Sequence, residues 1–383
     1  MRRFYAAILI VALAACKKDH IEKTTPAIPE IEHKEEVVND DQEITISDPS
    51  VKIADLNLSS VNFTPSNSAL LFSSVAVGRP DASGNAAKAS LSYSGWTHPS
   101  MLRFEKKWNG YHYWAAITPY PNTDSQYENP HIFCSNDGVL WIEPKGIVNP
   151  IEAAPEGTGY NSDVNLMFAN DKIYCYWRKT AQSLRSLWVS TSTDGVNWDK
   201  KEKVCEWPAS TIDVISPSVV KDKNLYYCYG ISNYETSPGN YYNSICIRRM
   251  ISDHPINGFD ADRNKGYDVV KINNRPWGSN QDPWHLEVKK VNNIWLMLVT
   301  TTNHNGYGSG GRLFMGYSLD GTNFTFNTAP ICNATSTYKS SFNAVVDSKS
   351  KKIKVELWRA MMSSGWTVFH DRFSIPFEIS PAI

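Results

Sequence analysis

The sequence predicts an all-β fold, a five-bladed β-propeller of four-stranded blades closed by an N-terminal strand. Three observations favour this fold: similar strands restart along the chain, tight turns of one form recur, and the short strands fall into five groups. The restarts and the turns return about every 60 residues, a spacing typical of repeat folds. Four strands per repeat is the composition of a propeller blade. A β-sandwich is the alternative, and it does not explain the regular return.

A polar residue heads each restarted strand. The strand heads are taken to be His98, Asp163, Ser216, Asp282 and Ser341. In a radial arrangement the innermost strand of every blade begins at the same face, so the leading side chains converge on a central cavity. The loop between the second and third strands of a blade opens on that face as well. The heads His98, Asp163, Ser216 and Asp282 are therefore predicted to line one pocket.

A second landmark has the form Ser-x-Asp-Gly-x-x-aromatic. It occurs at SNDGVLW (135–141), STDGVNW (192–198) and SLDGTNF (318–324), with a degenerate version containing Asp253 at SDHPINGF (252–259). Asp-Gly forms a tight turn between antiparallel strands, and the aromatic residue packs back onto the sheet. These turns are predicted to be structural.

The strands themselves are short runs rich in apolar, β-branched and aromatic residues. The first repeat contains THPSMLRF (97–104), YHYWAAIT (111–118), NPHIFCS (129–135) and VLWIEP (139–144). The second contains DVNLMF (163–168), IYCYWRK (173–179), SLWVSTS (186–192) and VNWDKKEKV (196–204). The third contains SPSVVKD (216–222), LYYCYGIS (225–232), NSICIRRM (243–250) and YDVVKI (267–272).

The last two repeats differ in strand number. The fourth contains WHLEVKK (284–290), IWLMLVTTT (294–302), RLFMGYS (312–318) and NFTFN (323–327). The fifth has only SFNAVVD (341–347), IKVELWRA (353–360) and WTVFHDRF (366–373). A strand from before residue 95 is therefore expected to complete the fifth blade, with ALLFSSVAV (69–77) as the candidate.

The N-terminus has the features of a secretory signal. Arg2 and Arg3 precede the apolar run AAILIVALAA, which is too short to span a membrane and ends at Cys16,. The residues Leu13 to Cys16 resemble a bacterial lipobox, which implies a signal peptide over 1–15 and a lipid on the Cys16 sulfur. An ordinary secreted protein is the alternative. Lysines after Cys16 favour the outer membrane of a Gram-negative bacterium, with the protein facing the periplasm or the surface.

Composition separates the rest of the chain into two parts. Residues 16–55 are rich in charge, Thr and Pro and are predicted to be a flexible spacer, whereas 56–383 are assigned to the propeller,. The 38 basic and 39 acidic residues nearly balance, which argues against a nucleic-acid partner,. Besides Cys16 there are six cysteines without a CxxC pair, so a zinc or redox motif is not predicted,. The 13 Trp and 19 Tyr suit both strands and a sugar-binding cleft,.

The repeat, the His-Pro-Ser strand head and the Asp-Gly turns resemble those of the five-bladed propeller superfamily of glycoside hydrolases. This superfamily includes families 43, 62 and 117 and the family 130 phosphorylases. The resemblance covers roughly 95–375 and also rests on THPS, PYPNTDSQYENP, YNSD and PWHLEV. It implies hydrolysis of a glycosidic bond in a polysaccharide or oligosaccharide, by carboxyl groups around the central cavity.

The resemblance assigns candidate site residues. Asp163 matches an aspartate that orients the catalytic groups or modulates their pKa, Glu287 is a further member of the carboxylate set, and Glu128 is an alternative acid. His98 stands where relatives have an aspartate base. The predicted substrate contacts are His98, His285, Trp284, Asp282, Lys339 and Trp96. Catalysis needs one protonated and one ionised group, and burial beside a tryptophan would raise one carboxyl pKa.

Other functions remain open. The replacement of the aspartate base by His98 motivates a non-catalytic glycan-binding propeller on the cell surface. A sialidase is disfavoured because its turns insert a residue between Asp and Gly, and a phosphorylase because Arg312 is the sole hint of a phosphate cluster. The resemblance requires no cofactor; it implies at most a structural calcium ion in the central channel, near His98 or His285. The expected partners are a carbohydrate substrate and, through the lipid alone, a membrane.

Overall fold

The computed structural model describes residues 51–380, apart from 74, 81–85, 92–93, 156–158, 182, 234–244, 263–264, 304–309 and 364. Cys16, the signal peptide and most of the spacer lie outside these residues. The described part consists of β-strands and short 3-10 helices. Within it there is no helix with the length and apolar character to cross a membrane.

Five antiparallel sheets form the predicted blades, and the all-β propeller is confirmed. Blade 1 contains β5 (Trp96–Trp108), β6 (Tyr111–Pro119), β7 (His131–Ser135) and the short β8 (Leu140–Trp141), which joins through a bridge between Cys134 and Ile142. Blade 2 contains β9 (Tyr160–Ala169), β10 (Lys172–Ala181), β11 (Leu184–Ser192) and β12 (Glu202–Pro208). Blade 3 contains β13 (Ile215–Asp222), β14 (Leu225–Asn233), β15 (Ile245–Ser252) and β16 (Asp268–Val269).

Blade 4 contains β17 (Lys271–Ile272), β18 (Gln281–Val291), β19 (Ile294–Asn303), β20 (Leu313–Ser318) and β21 (Asn323–Phe326). Blade 5 contains β22 (Ser341–Asp347), β23 (Lys352–Met362), β24 (Trp366–Ile379) and the N-terminal β1 (Ile53–Leu56). The inner strands β5, β9, β13, β18 and β22 contact one another in ring order.

The ring is closed by an N-terminal strand, but not by the predicted segment 69–77. Strand β1 pairs with β24 and forms the outer strand of blade 5. Within 69–77, β2 (Leu71–Phe72) instead pairs in parallel with β8 at the edge of blade 1, and β3 (Val75–Pro80) pairs with β4 (Ala86–Leu91). Because β1 begins at Ile53, the folded body also starts before the predicted boundary at residue 56.

Several outer strands differ from the predicted bounds, and in blade 1 the predicted strand 139–144 is reduced to β8 (Leu140–Trp141). The fourth strand of blade 2 begins at Glu202 instead of 196, because residues 194–197 form the Asp-Gly turn. The predicted strand 267–272 divides between two sheets. Its first half, β16, pairs with β15, whereas its second half, β17, pairs in parallel with β21 of the next blade.

The Asp-Gly turns have the predicted structural role. In blade 1 the Asp137 carboxylate accepts hydrogen bonds from two backbone N–H groups, and the Trp141 indole donates to the carbonyl of Gly138. Gly138 has a φ of 74°, a conformation that glycine adopts without strain,. The degenerate turn of blade 3 uses His254 instead of Asp253, since His254 Nδ1 accepts the two equivalent N–H bonds.

A belt of side-chain hydrogen bonds joins the inner strands of neighbouring blades. Each bond runs from a backbone N–H to a polar side chain on the preceding blade, at 2.8–2.9 Å: Leu166 to Ser100, Val219 to Asn165, Val288 to Ser218, and Met101 to Ser341. Glu287 occupies the equivalent position of blade 4. The belt fixes the register of the repeat, and the residue two positions earlier is the structural strand head in each blade.

The belt corrects two predicted heads. Counting back from Glu287 and Ser341 gives His285 in blade 4 and Lys339 in blade 5, rather than Asp282 and Ser341 themselves. A β-bulge between Pro283 and His285 displaces the fourth head along its strand,. His98, Asp163 and Ser216 are confirmed as strand heads.

Candidate functional site

A cavity of about 330 Å³ opens where the inner strands begin. Its wall includes the strand heads of blades 1, 2 and 4, together with Glu128 from the loop between β6 and β7. The structure therefore brings His98, Asp163, His285, Trp284 and Glu128 together, as the sequence predicted.

The strand heads of blades 1, 2 and 3 have left-handed backbone conformations. His98, Asp163 and Ser216 have φ values of 53°, 55° and 55°, and each lies in a bulge of its strand pair. A residue other than glycine pays about 1–3 kcal/mol for such a conformation, and strain of this kind is concentrated at functional sites. In blades 1 and 2 the bulge turns the head toward the cavity while the rest of the strand keeps its register,.

Three of the lining residues form a tight cluster of potential metal ligands. The Oδ1 atom of Asp163 lies 3.2 Å from Nδ1 of His285 and 3.6 Å from Nε2 of His98. All three side chains are buried, and their ligand atoms lie within 4.8 Å of one another. None of these three atoms makes a hydrogen bond of good geometry within the described structure, although the 3.2 Å contact with His285 is close enough to lower the pKa of Asp163. Buried polar atoms are almost always satisfied, so this cluster requires an explanation.

The tautomer of His98 follows from its neighbours. The Thr118 hydroxyl donates its one proton to the carbonyl of Thr97, so Nδ1 of His98 must donate to Thr118 Oγ1, 3.0 Å away,. In the neutral ring, Nε2 then carries a lone pair and faces the Asp163 carboxylate. Two acceptors that face each other without a proton between them favour a bound cation.

The charges of the cluster are also those of a ligand set. Burial lowers the pKa of His98 to about 3 and lowers the pKa of His285, so both imidazoles are neutral at pH 7. Burial alone would raise the pKa of Asp163, but His98, His285 and Arg178 lower it overall, so this carboxyl is ionised. Neutral imidazole and ionised carboxylate are the forms that bind metal ions.

The donor set indicates which metal would fit. Two imidazole nitrogens and one carboxylate oxygen suit Zn²⁺, Mn²⁺ or Fe²⁺, and they leave positions open for water or substrate. Calcium takes six to eight oxygen ligands, so this cluster is a poor match for the structural calcium that the resemblance implied. The other carboxylate oxygen of Asp163 is held by the Ser162 hydroxyl at 3.2 Å.

Glu128 supplies a carboxyl group of the opposite character. It is buried, and burial together with the negative charge of Asp163 raises its pKa well above the ordinary value. One cavity thus contains an ionised carboxyl group and a proton-binding one. Such a difference in pKa between two neighbouring groups is what acid–base chemistry requires.

Arg178 and Tyr338 are among the wall residues that sequence reasoning missed. Arg178 on β10 lies 4.0 Å from Asp163 Oδ2, and Tyr338 packs its ring 4.2 Å from that of His285. Arg178 stood in an apolar strand without a motif. Tyr338 could have been found from its place beside the strand head Lys339.

Four predicted site residues, and also the strand head Ser216, do not line the cavity. Glu287 is 0% exposed and lies one pleat below His285, where it pairs with Lys289 at 2.9 Å and faces Ser100 across the central channel. The hypothesis that Asp163 and Glu287 share the cavity is therefore wrong. Asp282 is buried against Arg275 at 3.1 Å, because the bulge presents Trp284 and His285 instead.

The remaining two have other environments. Trp96 is fully buried and packs against Phe72 and Phe133 in the core of blade 1, since it precedes the bulge. Lys339 is 0% exposed, and its ammonium group is bonded to backbone carbonyls below the cavity. Neither lines the cavity.

The fold is similar to that of carbohydrate-processing enzymes. The crystal structure of an N-acetylgalactosamine deacetylase from F. plautii, in complex with blood group B trisaccharide, superimposes with a TM-score of 0.63 and 20% identity, covering 85% of this chain and 95% of that one. A thermostable family-43 glycoside hydrolase superimposes with a TM-score of 0.52 and 16% identity, covering 76% of this chain and 96% of that one. The chain has the five-bladed propeller fold of these enzymes.

One curated protein is also similar to this chain in sequence. The A type blood N-acetyl-α-D-galactosamine deacetylase of Flavonifractor plautii is 28% identical over 269 residues, covering 60% of this chain. The match spans 34% of that relative's length. No protein-family model matches the chain.

Proposed function

We propose that the protein is a metal-dependent hydrolase that removes the N-acetyl group from an N-acetylated sugar. The observation that carries this proposal is the cluster of His98, Asp163 and His285, whose facing atoms are buried and unpartnered, beside the proton-binding Glu128. A carboxyl group next to a three-residue metal site is an arrangement suited to metal-assisted amide hydrolysis.

The cavity lacks the arrangement expected of a two-carboxyl glycosidase. Among the described residues of its wall, the carboxyl groups are Glu128 and Asp163. A glycosidase places two such groups on either side of the scissile bond. Asp163 is instead enclosed by two imidazoles, Ser162 and Arg178. Its geometry therefore suits metal binding better than attack on a sugar.

The ligand set defines what each residue would do. His98 Nε2, Asp163 Oδ1 and His285 would hold the metal ion, and Thr118 and Ser162 would orient the first two,. A bound Zn²⁺ or Mn²⁺ would supply Lewis acidity for the amide carbonyl and would lower the pKa of water held at that site.

The remaining steps belong to the protein side chains. Glu128 accepts a proton from the attacking water and returns it to the amide nitrogen as the carbon–nitrogen bond breaks, which yields acetate and an amino sugar. Burial raises the pKa of Tyr338 well above its ordinary value, so its hydroxyl stays protonated and is a donor for the carbonyl oxygen,.

The cavity favours a terminal sugar as substrate. Its volume of about 330 Å³ is at the lower end of the range for small-molecule sites, about 300–1,000 Å³. The wall offers Trp284 and Tyr120 as apolar surfaces for a sugar ring,. The deacetylase relatives make N-acetylgalactosamine at a glycan end the first candidate.

One observation favours glycoside hydrolysis as a second candidate. Glu128 has a raised pKa while that of Asp163 is lowered, which is the division of roles between the acid and the second carboxylate of a glycosidase.

The lipid anchor at Cys16 would place either activity at the outer membrane, and loss of palmitate labelling in a Cys16→Ser variant tests that location.

Product analysis separates these functions. The protein is freed of metal, reloaded with Zn²⁺ or Mn²⁺, and incubated with oligosaccharides ending in N-acetylgalactosamine or N-acetylglucosamine. Deacetylation predicts acetate and free amine in equal amounts, lost with EDTA and restored by the metal. Release of an intact N-acetylated monosaccharide supports the second candidate. Sugar binding without any product supports a non-catalytic glycan-binding propeller and contradicts both.

A further inference from the structure

Lys339 is the strand head of blade 5, and it is the one head whose side chain ends in a positive charge. It occupies the position of the repeat that His98, Asp163 and His285 occupy in their blades, two residues before the belt. Its side chain is fully buried. The ammonium group donates to the carbonyl of Val164 at 2.6 Å and to that of Pro99 at 3.3 Å.

These two carbonyls lie next in the chain to two residues of the ligand cluster. Pro99 directly follows His98 and Val164 directly follows Asp163, so each carbonyl belongs to the residue after a left-handed head. The two heads come from different blades. One cation bonded to both carbonyls thus ties blade 1 to blade 2 immediately below the cluster.

The third left-handed head provides a contrast. Ser216 secures itself, since its hydroxyl accepts from the N–H of Leu286 and donates to the carbonyl of the same residue. The side chains of His98 and Asp163 project into the cavity and cannot do this. An external donor is needed, and Lys339 is the donor that the structure provides.

We propose that Lys339 is a positioning residue, which holds His98 and Asp163 at the spacing that a metal ion requires without touching metal or substrate. This inference rests on the proposed function for its effect on metal affinity. Its effect on the backbone of the two heads is independent of that function. Loss of an outer-sphere contact typically lowers metal affinity about 10–100-fold.

The test is a Lys339→Met variant, in which a flexible apolar chain of similar length replaces the donor. Two quantities are measured: the affinity for Zn²⁺ by titration of the metal-free protein, and hydrogen exchange of segments 97–102 and 162–166. We expect Zn²⁺ affinity to fall about 10–100-fold and exchange to rise in both segments. Segment 215–219, around Ser216, is the internal control and should exchange as in the wild type.

A Lys339→Gln variant, which retains one donor, is measured in parallel in case the Met variant does not fold; it should show smaller changes in the same direction. Folded variants with Zn²⁺ affinity within about twofold of the wild type and unchanged exchange at both heads would overturn the inference. A uniform rise that includes segment 215–219 would also overturn it, since it indicates general destabilisation. If the wild type binds neither Zn²⁺ nor Mn²⁺, the proposed function fails, and the exchange pattern alone decides the role of Lys339.

Discussion

All five strand heads occupy the same position of the repeat. They differ in whether their polar side-chain atoms have hydrogen-bond partners, and this divides the heads of blades 1, 2 and 4 from those of blades 3 and 5. In the first group, His98 Nε2, Asp163 Oδ1 and both ring nitrogens of His285 are buried without a hydrogen-bond partner in the described structure. In the second group, Ser216 and Lys339 are bonded to backbone groups.

This difference separates function from architecture within one repeat. An unpaired buried polar atom costs about 1–3 kcal/mol, so a fold retains several of them in one place only where a ligand completes them. Ser216 and Lys339 use the same position to secure the ring. The account therefore predicts that substitutions at the first group remove activity, whereas those at the second act on stability or geometry.

Asp163→Asn should have the largest effect. The amide keeps the shape and the bond to Ser162, but it removes the negative charge between the imidazoles. We expect kcat/KM for acetate release to fall about 10³-fold or more, comparable to losing a major electrostatic group of an active site, while thermal unfolding changes little. Full activity in this variant would show that the cluster is not the catalytic site.

Glu128→Gln should be next. Loss of a general acid–base group costs about 10²–10⁴-fold, and the glutamine still fits the site without titrating. For deacetylation Glu128 must first be ionised, so wild-type activity should rise as pH rises through its raised pKa. For glycoside hydrolysis it must be protonated, and activity should fall over the same range.

Stability offers a check on the same carboxyl group. Since the pKa of Glu128 is raised on folding, the folded protein binds more protons, and its stability should decrease as pH rises from the unfolded pKa through the folded one. Denaturant titrations of Glu128→Gln should lack this part of the pH dependence. An identical pH dependence in the two proteins would mean that Glu128 is not held protonated in the fold.

Thr118→Val should have an intermediate effect. It removes the acceptor that fixes Nδ1–H of His98 and hence the lone pair on Nε2. Zn²⁺ affinity is expected to fall about 10–100-fold, with activity recovered at high metal concentration. Activity that stays low at saturating Zn²⁺ would assign Thr118 a different role.

Ser216→Ala should have the smallest effect on activity. It deletes hydrogen bonds between blades 3 and 4, which are worth about 1 kcal/mol each, so unfolding is expected at lower denaturant concentration. Acetate release should stay within a factor of two. A loss of activity matching that of Asp163→Asn would break the distinction between the two groups of heads.

The sequence was most informative where local chemistry repeats. The Asp-Gly turns and the strands following His98, Asp163 and Ser216 were predictable because each depends on residues close in the chain. The closing strand was not, since IADL (53–56) is short and pairs with a partner more than 300 residues away,.

The site was predictable only in part for the same reason. Glu128, Asp163 and His285 were placed correctly at the cavity because they stand at strand heads or in the loop that opens there. The resemblance implied a calcium ion near His98 or His285, but the cluster of these two histidines with Asp163 was not foreseen, since its members come from three blades and share no sequence spacing. The bulge before His285 also hid the register that excludes Asp282 and buries Glu287.

Metal binding by the intact protein tests the central claim most directly. Calorimetric titration of metal-free protein with Zn²⁺ and with Mn²⁺ should give one site per chain for at least one ion. Binding should be absent in Asp163→Asn and unchanged in Ser216→Ala. Wild-type protein that binds neither ion, or Asp163→Asn protein that binds as tightly as the wild type, would contradict the assignment of these strand heads as a metal centre.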